Sequence, residues 1–124
     1  MKLGEDIKNK INEEYKIFES EFYGNKTREE RKALGAFFTP PVLTIQMIEK
    51  LSTLDDDILD PTCGAGGLLA ACVIAGADPK RCYGIEIDPD ILTLCRKRLG
   101  LLGVPEENLI LGDATDPLTY LRFR

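Results

Sequence analysis

The stretch Leu59–Leu69, "LDPTCGAGGLL", sets an acid and a proline behind an apolar segment, then three glycines in four residues, then a new apolar run. Glycine loses more backbone freedom on folding than any other residue. A chain that concentrates it at one junction is making a tight turn whose bare backbone something approaches closely. Upstream, Ile58 and Leu59 read as a short buried strand ending at Asp60. Downstream, "GGLLAACVIAGA" reads as a strongly apolar helix packed on a sheet. Strand, glycine turn and helix place that bare backbone at the carboxyl end of a sheet, where open α/β sheets bind ligands.

The pattern then repeats. "RCYGIEID" is a second strand, and Asp88 with Pro89 starts a helix carrying Ile91, Leu94, Cys95, Leu99 and Leu102. "ENLILGDA" is a third strand. The series β-α-β-α-β predicts a parallel sheet with right-handed crossovers, in strand order 3-2-1. Helices precede it. Ile7, Ile11, Tyr15, Phe18 and Phe22 form one stripe on a helix over about residues 5–22, stopped by Gly24 and Asn25. Thr27 followed by Glu30 is a capping-box pattern, with Gly35 to close a short helix. Thr39 is placed to cap a third helix with Pro40 in its first turn, burying Val42, Ile45, Ile48 and Leu51. The expected division is N-terminal helices in residues 1–34 and the sheet unit in residues 35–124.

Composition bounds the function. The 124 residues suffice for one small core, and 44% hydrophobic with 30% charged residues is a globular balance. A net charge of −5 argues against a surface built wholly to grip nucleic acid. The run Arg96, Lys97, Arg98 and the group Lys26, Arg28, Arg31, Lys32 read as solvated helix faces. Cys63, Cys72, Cys82 and Cys95 form no C-x-x-C pair and there is no histidine, so zinc is not expected and the thiols read as buried. The charged N-terminus "MKLGEDIKNK" does not read as a secretory signal and no stretch is long enough for a membrane span, so a cytosolic protein is expected.

Three ligand classes compete for the glycine turn. A phosphate loop needs a lysine and a hydroxyl after its last glycine, and here Leu68 and Leu69 follow. A G-x-G-x-x-G dinucleotide turn fits Gly64 and Gly66, but Leu69 takes the third position. S-adenosylmethionine (SAM) has no pyrophosphate. It carries an amino-acid end, a sulfonium and an adenosine. Asp60, at the first strand's end, can meet the cationic amino group. Glu86, at the second strand's end, can accept both ribose hydroxyls. Asp113, past the third strand, can receive the adenine amino group, with Ile87 and Ala114 against the ring.

"GAFFTPP" (Gly35–Pro41), "LDPTCGAGGLL", "GIEIDPD" (Gly84–Asp90) and "GDATD" (Gly112–Asp116), in that order, resemble the motifs of SAM-dependent adenine-N6 DNA methyltransferases, with the type I restriction modification subunits as the nearest match. The resemblance runs from about residue 28 to 116. It implies a partial Rossmann-like methyltransferase fold and SAM as cofactor. It also implies that Phe37, Phe38, Thr39 and Pro40 fold over the methionine end, although, read as residues alone, one of the two phenylalanines is expected to be a core aromatic. Asp60, Thr62, Gly64 and Gly66 would line the methionine and sulfonium, Glu86 the ribose and Asp113 the adenine. The family's catalytic motif is an Asn or Asp, two prolines and an aromatic on a fourth strand. It has no counterpart here, for the only double proline is Pro40–Pro41, and the sequence stops at "DPLTYLRFR" near where that strand should begin. The expectation is therefore a cofactor-binding half, with DNA held by parts outside it and a partner chain or second copy completing the sheet. An RNA or protein-glutamine methyltransferase, or a non-catalytic SAM-binding or decoy module, is the alternative.

Overall fold

The computed structural model describes residues 1–24, 26–34 and 38–123. Expectations for Asn25, Gly35 and Phe37 fall outside these residues. Five helices and three strands follow in the order α1 (Glu5–Tyr23), α2 (Arg28–Leu34), α3 (Pro41–Glu49), β1 (Ile58–Asp60), α4 (Gly67–Ile74), β2 (Cys82–Glu86), α5 (Pro89–Gly100) and β3 (Leu109–Leu111). Short 3-10 turns stand at Pro79–Arg81, Glu106–Asn108 and Pro117–Phe123.

The strands form one parallel sheet with β2 central, so the order read from the far edge is 3-2-1. Leu59 pairs with Tyr83, and Ile85 with Ile110. Glu86 ends level with Leu111, while Asp60 lies opposite Gly84, two residues before Glu86, so Asp60, Glu86 and the segment after Leu111 all lie toward the carboxyl end of the sheet. Helices α4 and α5 supply the two crossovers. Leu69, Cys72, Cys82, Cys95, Leu99 and Leu109 are fully buried in one apolar cluster that also takes in Leu3, Ile11 and Ile48. The N-terminal helix therefore shares the core of the sheet unit. All four cysteines are buried free thiols.

Local chemistry sets the helix ends. The Thr27 hydroxyl accepts from the Glu30 amide (3.1 Å) and the Glu30 carboxylate accepts from the Thr27 amide (3.2 Å), the reciprocal capping box. Asp88 accepts from the amides of Asp90 and Ile91 and so caps α5. Two expectations fail here. Thr39 does not cap α3, because the helix starts one residue later, with Pro40 at the cap position and no side-chain capping bond. The buried face of α3 is Pro41, Thr44 and Ile48, while Val42 and Leu51 are exposed. The strand β1 also departs from its reading, since Leu59 is 41% exposed. The sheet face carrying Leu59 is covered only in part, by the turn Pro117–Phe123, where Phe123 meets Tyr83 edge-on at 5.5 Å.

Candidate functional site

The glycine turn owes its shape to two left-handed residues, Gly64 (φ 54°) and Gly66 (φ 90°). A side chain at either would be strained. Close packing adds a second demand. A Cβ on Gly66 would lie 3.0 Å from Leu99 Cγ, and one on Gly67 would lie 3.1 Å from the Thr39 carbonyl oxygen. Gly66 and Gly67 are thus buried against the protein itself, and Gly64 is the more open of the three. Two bonds lace the turn to β2, Cys63 N–H to the Ile85 carbonyl (2.9 Å) and Gly64 N–H to Glu86 Oε1 (3.0 Å), and one closes it on itself, Gly66 N–H to the Cys63 carbonyl (2.8 Å).

Glu86 is 7% exposed and uses both oxygens, Oε1 on Gly64 and Oε2 on the Asp88 amide (2.9 Å). Two charge-assisted backbone bonds fix the carboxylate while leaving each oxygen further accepting capacity. Asp60 accepts from the Thr62 amide at 3.1 Å. Burial pushes its carboxyl above the usual value, against the lowering effect of the Thr62 bond, and the neighbouring Glu86 charge pushes the same way as burial. Asp113 accepts from the Thr115 amide (2.8 Å) and hydroxyl (2.6 Å). The hydroxyl first and then the amide hold its carboxyl below the usual value. Among the described residues, none of the three acids is in an ion pair.

A cavity of about 180 Å³ opens between these groups, lined among others by Thr62, Glu86, Ile87, Asp113, Ala114 and Thr115. Five expected residues thus meet at one cleft, Gly64 joins it through Glu86, and Asp60 lies close enough for the Glu86 charge to raise it. Ile87 is 68% exposed there, an apolar face next to acids. Phe38, Thr39 and Pro40 do not line it. Phe38 is buried in an aromatic cluster, its ring 5.5 Å from Phe18, 4.9 Å from Phe22 and 5.2 Å from Tyr23. Thr39 turns its carbonyl toward Gly67, and Pro40 stands at the cap position of α3. Larger grooves, about 470 and 240 Å³, lie between α1 and α5 and contain none of the expected residues.

Thr115 was not anticipated. The Asp-x-Thr spacing in "GDATD" is its signal, since a threonine two residues after an aspartate closes a local turn on it. Arg98 is the larger surprise. Far from a solvated face, it is 4% exposed and paired with Glu14.

The model of the family "N-6 DNA Methylase" matches residues 15–118. The chain is similar to "Type II methyltransferase M.CvrRI" of Paramecium bursaria Chlorella virus XZ-6E, with 35% identity over 85 residues, covering 65% of this chain and 22% of that protein. It is similar to "Type II methyltransferase M.VspI" of Vibrio sp. (strain 343), with 34% identity over 93 residues, covering 73% and 21%. "Modification methylase CviBIII" of Paramecium bursaria Chlorella virus NC1A is 32% identical over 96 residues, covering 69% and 24%. The chain thus spans about a fifth to a quarter of the length of the curated relatives it matches. No solved structure matches.

Proposed function

This chain belongs to the N-6 DNA methylase family, and we propose that it forms the SAM-binding part of an enzyme that methylates adenine N6 in DNA. The observation that carries this reading is the set of acids at the carboxyl ends of three adjacent strands, with no cation among the described residues to answer them. A half-buried carboxylate beside a second carboxylate calls for a positive partner. The ammonium of SAM's amino-acid end suits Asp60. The ribose diol suits Glu86, which keeps accepting capacity on both oxygens. The adenine amino group suits Asp113, with Ile87 as the apolar surface for the ring. When bound, SAM supplies an electrophilic methyl on sulfonium.

In this reading the chain's own residues bind and orient the cofactor, and the sequence carries no Asn/Asp-Pro-Pro-aromatic motif to take the target amine. The one double proline, Pro40–Pro41, is used to start α3, so it does not serve as a base-gripping motif. The amine-holding groups and the DNA surface are proposed to come from the rest of a longer protein or from a partner chain that extends the sheet beyond an edge strand. Residues 35–124 would then be the first half of the methyltransferase unit, in a cytoplasmic enzyme.

Calorimetric titration of the chain with SAM, S-adenosylhomocysteine and NAD tests the reading. Both SAM and S-adenosylhomocysteine are expected to bind and NAD is not. Asp60→Ala and Glu86→Gln are each expected to weaken SAM binding at least tenfold, about 1.4 kcal/mol or more. Binding of NAD in place of SAM, or SAM binding that neither change affects, would overturn it.

A further inference from the structure

Arg98 sits in the sequence run Arg96-Lys97-Arg98, yet its guanidinium is almost wholly buried. It donates to Glu14 through Nε (2.9 Å to Oε2) and Nη2 (2.6 Å to Oε1), a two-pronged pair across 84 residues. The Phe18 ring lies 4.3 Å from its Cζ. Its remaining arm, Nη1, donates to the Ala65 carbonyl at 3.4 Å. Ala65 stands between the two left-handed glycines of the turn, the stretch whose backbone has the most alternatives. Removing a charge pair from water is costly, and apolar residues of similar volume often stabilise a fold as well or better.

We infer that Arg98, held by Glu14 of α1, is a positioning residue that sets the glycine turn in its ligand-binding shape. The inference rests on the proposed SAM site. Glu86 holds the turn from the cleft side at the Gly64 amide, and Arg98 holds it from behind at the Ala65 carbonyl. Phe18, which stacks on Arg98, also packs on Phe38, just ahead of Thr39, whose carbonyl meets Gly67. Helix α1 thereby supports two segments flanking the site, although none of its residues lines the cleft.

The test uses the full chain with Arg98→Lys, and with the double change Glu14→Leu/Arg98→Met, which removes both charges together. Binding of SAM, urea midpoint and amide hydrogen exchange at Gly64 and Gly66 are measured on each. The double variant is expected to keep its urea midpoint, lose about tenfold in SAM affinity and exchange faster at the two glycines. Arg98→Lys keeps a charge for Glu14 without the fork that reaches Ala65, and is expected to fold and to weaken SAM binding to a smaller degree. Wild-type affinity and exchange in a folded variant would overturn the positioning role. If the unaltered chain takes up no SAM, the proposed function fails by itself. The exchange rates then decide the positioning role, faster exchange supporting it and unchanged exchange refuting it.

Discussion

At the scale of single residues, Asp60 carries a tension between folding and binding. Burial and Glu86 raise its carboxyl above the ordinary value, so the folded chain holds the proton more tightly than the unfolded chain does. In the window between the unfolded value, about 3.9, and the raised folded value, the native state binds more protons. Stability from this group therefore falls as pH rises through that window and stays low above it. Asp60→Asn removes the charge and keeps an oxygen for the Thr62 amide. It is expected to raise the urea midpoint at pH 7 while weakening SAM binding, and its advantage over the wild type should shrink as pH drops toward 3. Urea unfolding across that pH range checks it. Equal midpoints at pH 7 would mean that burial of this charge is not resisted. Arg98 shows the limit of reading residues singly. A basic triplet on a helix looks solvated, and only the fold reveals that Glu14, 84 positions away, comes to meet its last member.

Elements whose ends are set by local chemistry were legible in the sequence. The stripe from Ile7 to Phe22 gives α1 as Glu5–Tyr23, because its apolar spacing matches the helical period. The Thr27–Glu30 box and the Asp88 cap appear as read, since each depends on residues within three positions. Helix α3 starts one residue later than read, with Pro40 rather than Thr39 at the cap position, and the Thr39 carbonyl lies against Gly67 instead. The contact with Gly67 comes from another element and leaves no local mark in the sequence. The cap itself makes a quantitative expectation. Asp88→Ala removes two hydrogen bonds to the α5 N-terminus and should destabilise the chain by about 1 kcal/mol, read as a lowered urea midpoint at unchanged slope. No change in midpoint would mean that water or Pro89 already secures that end. The Asp88 amide that donates to Glu86 is backbone and survives this change, so SAM binding should be lowered less than in Glu86→Gln.

At the scale of the molecule, the parallel sheet and its order were legible because apolar runs alternate with glycine and acid at each strand end. Leu3 and Ile11 share the core with Leu69 and Leu99, and α1 reaches the glycine turn through Glu14 and Arg98. The site is legible unevenly. Glu86, Ile87, Asp113 and Ala114 follow strands and land together at one cleft, whereas Phe38 answers to aromatic partners on α1. The apolar grooves between α1 and α5 are larger than that cleft, so position rather than affinity is the most direct question. Amide chemical shifts of the chain titrated with S-adenosylhomocysteine answer it. Saturable shifts are expected at Asp60–Gly64, Glu86–Ile87 and Asp113–Ala114, with the groove residues Ile17 and Leu101 still. Shifts centred on Ile17 and Leu101, with the strand-end acids unmoved, would contradict it.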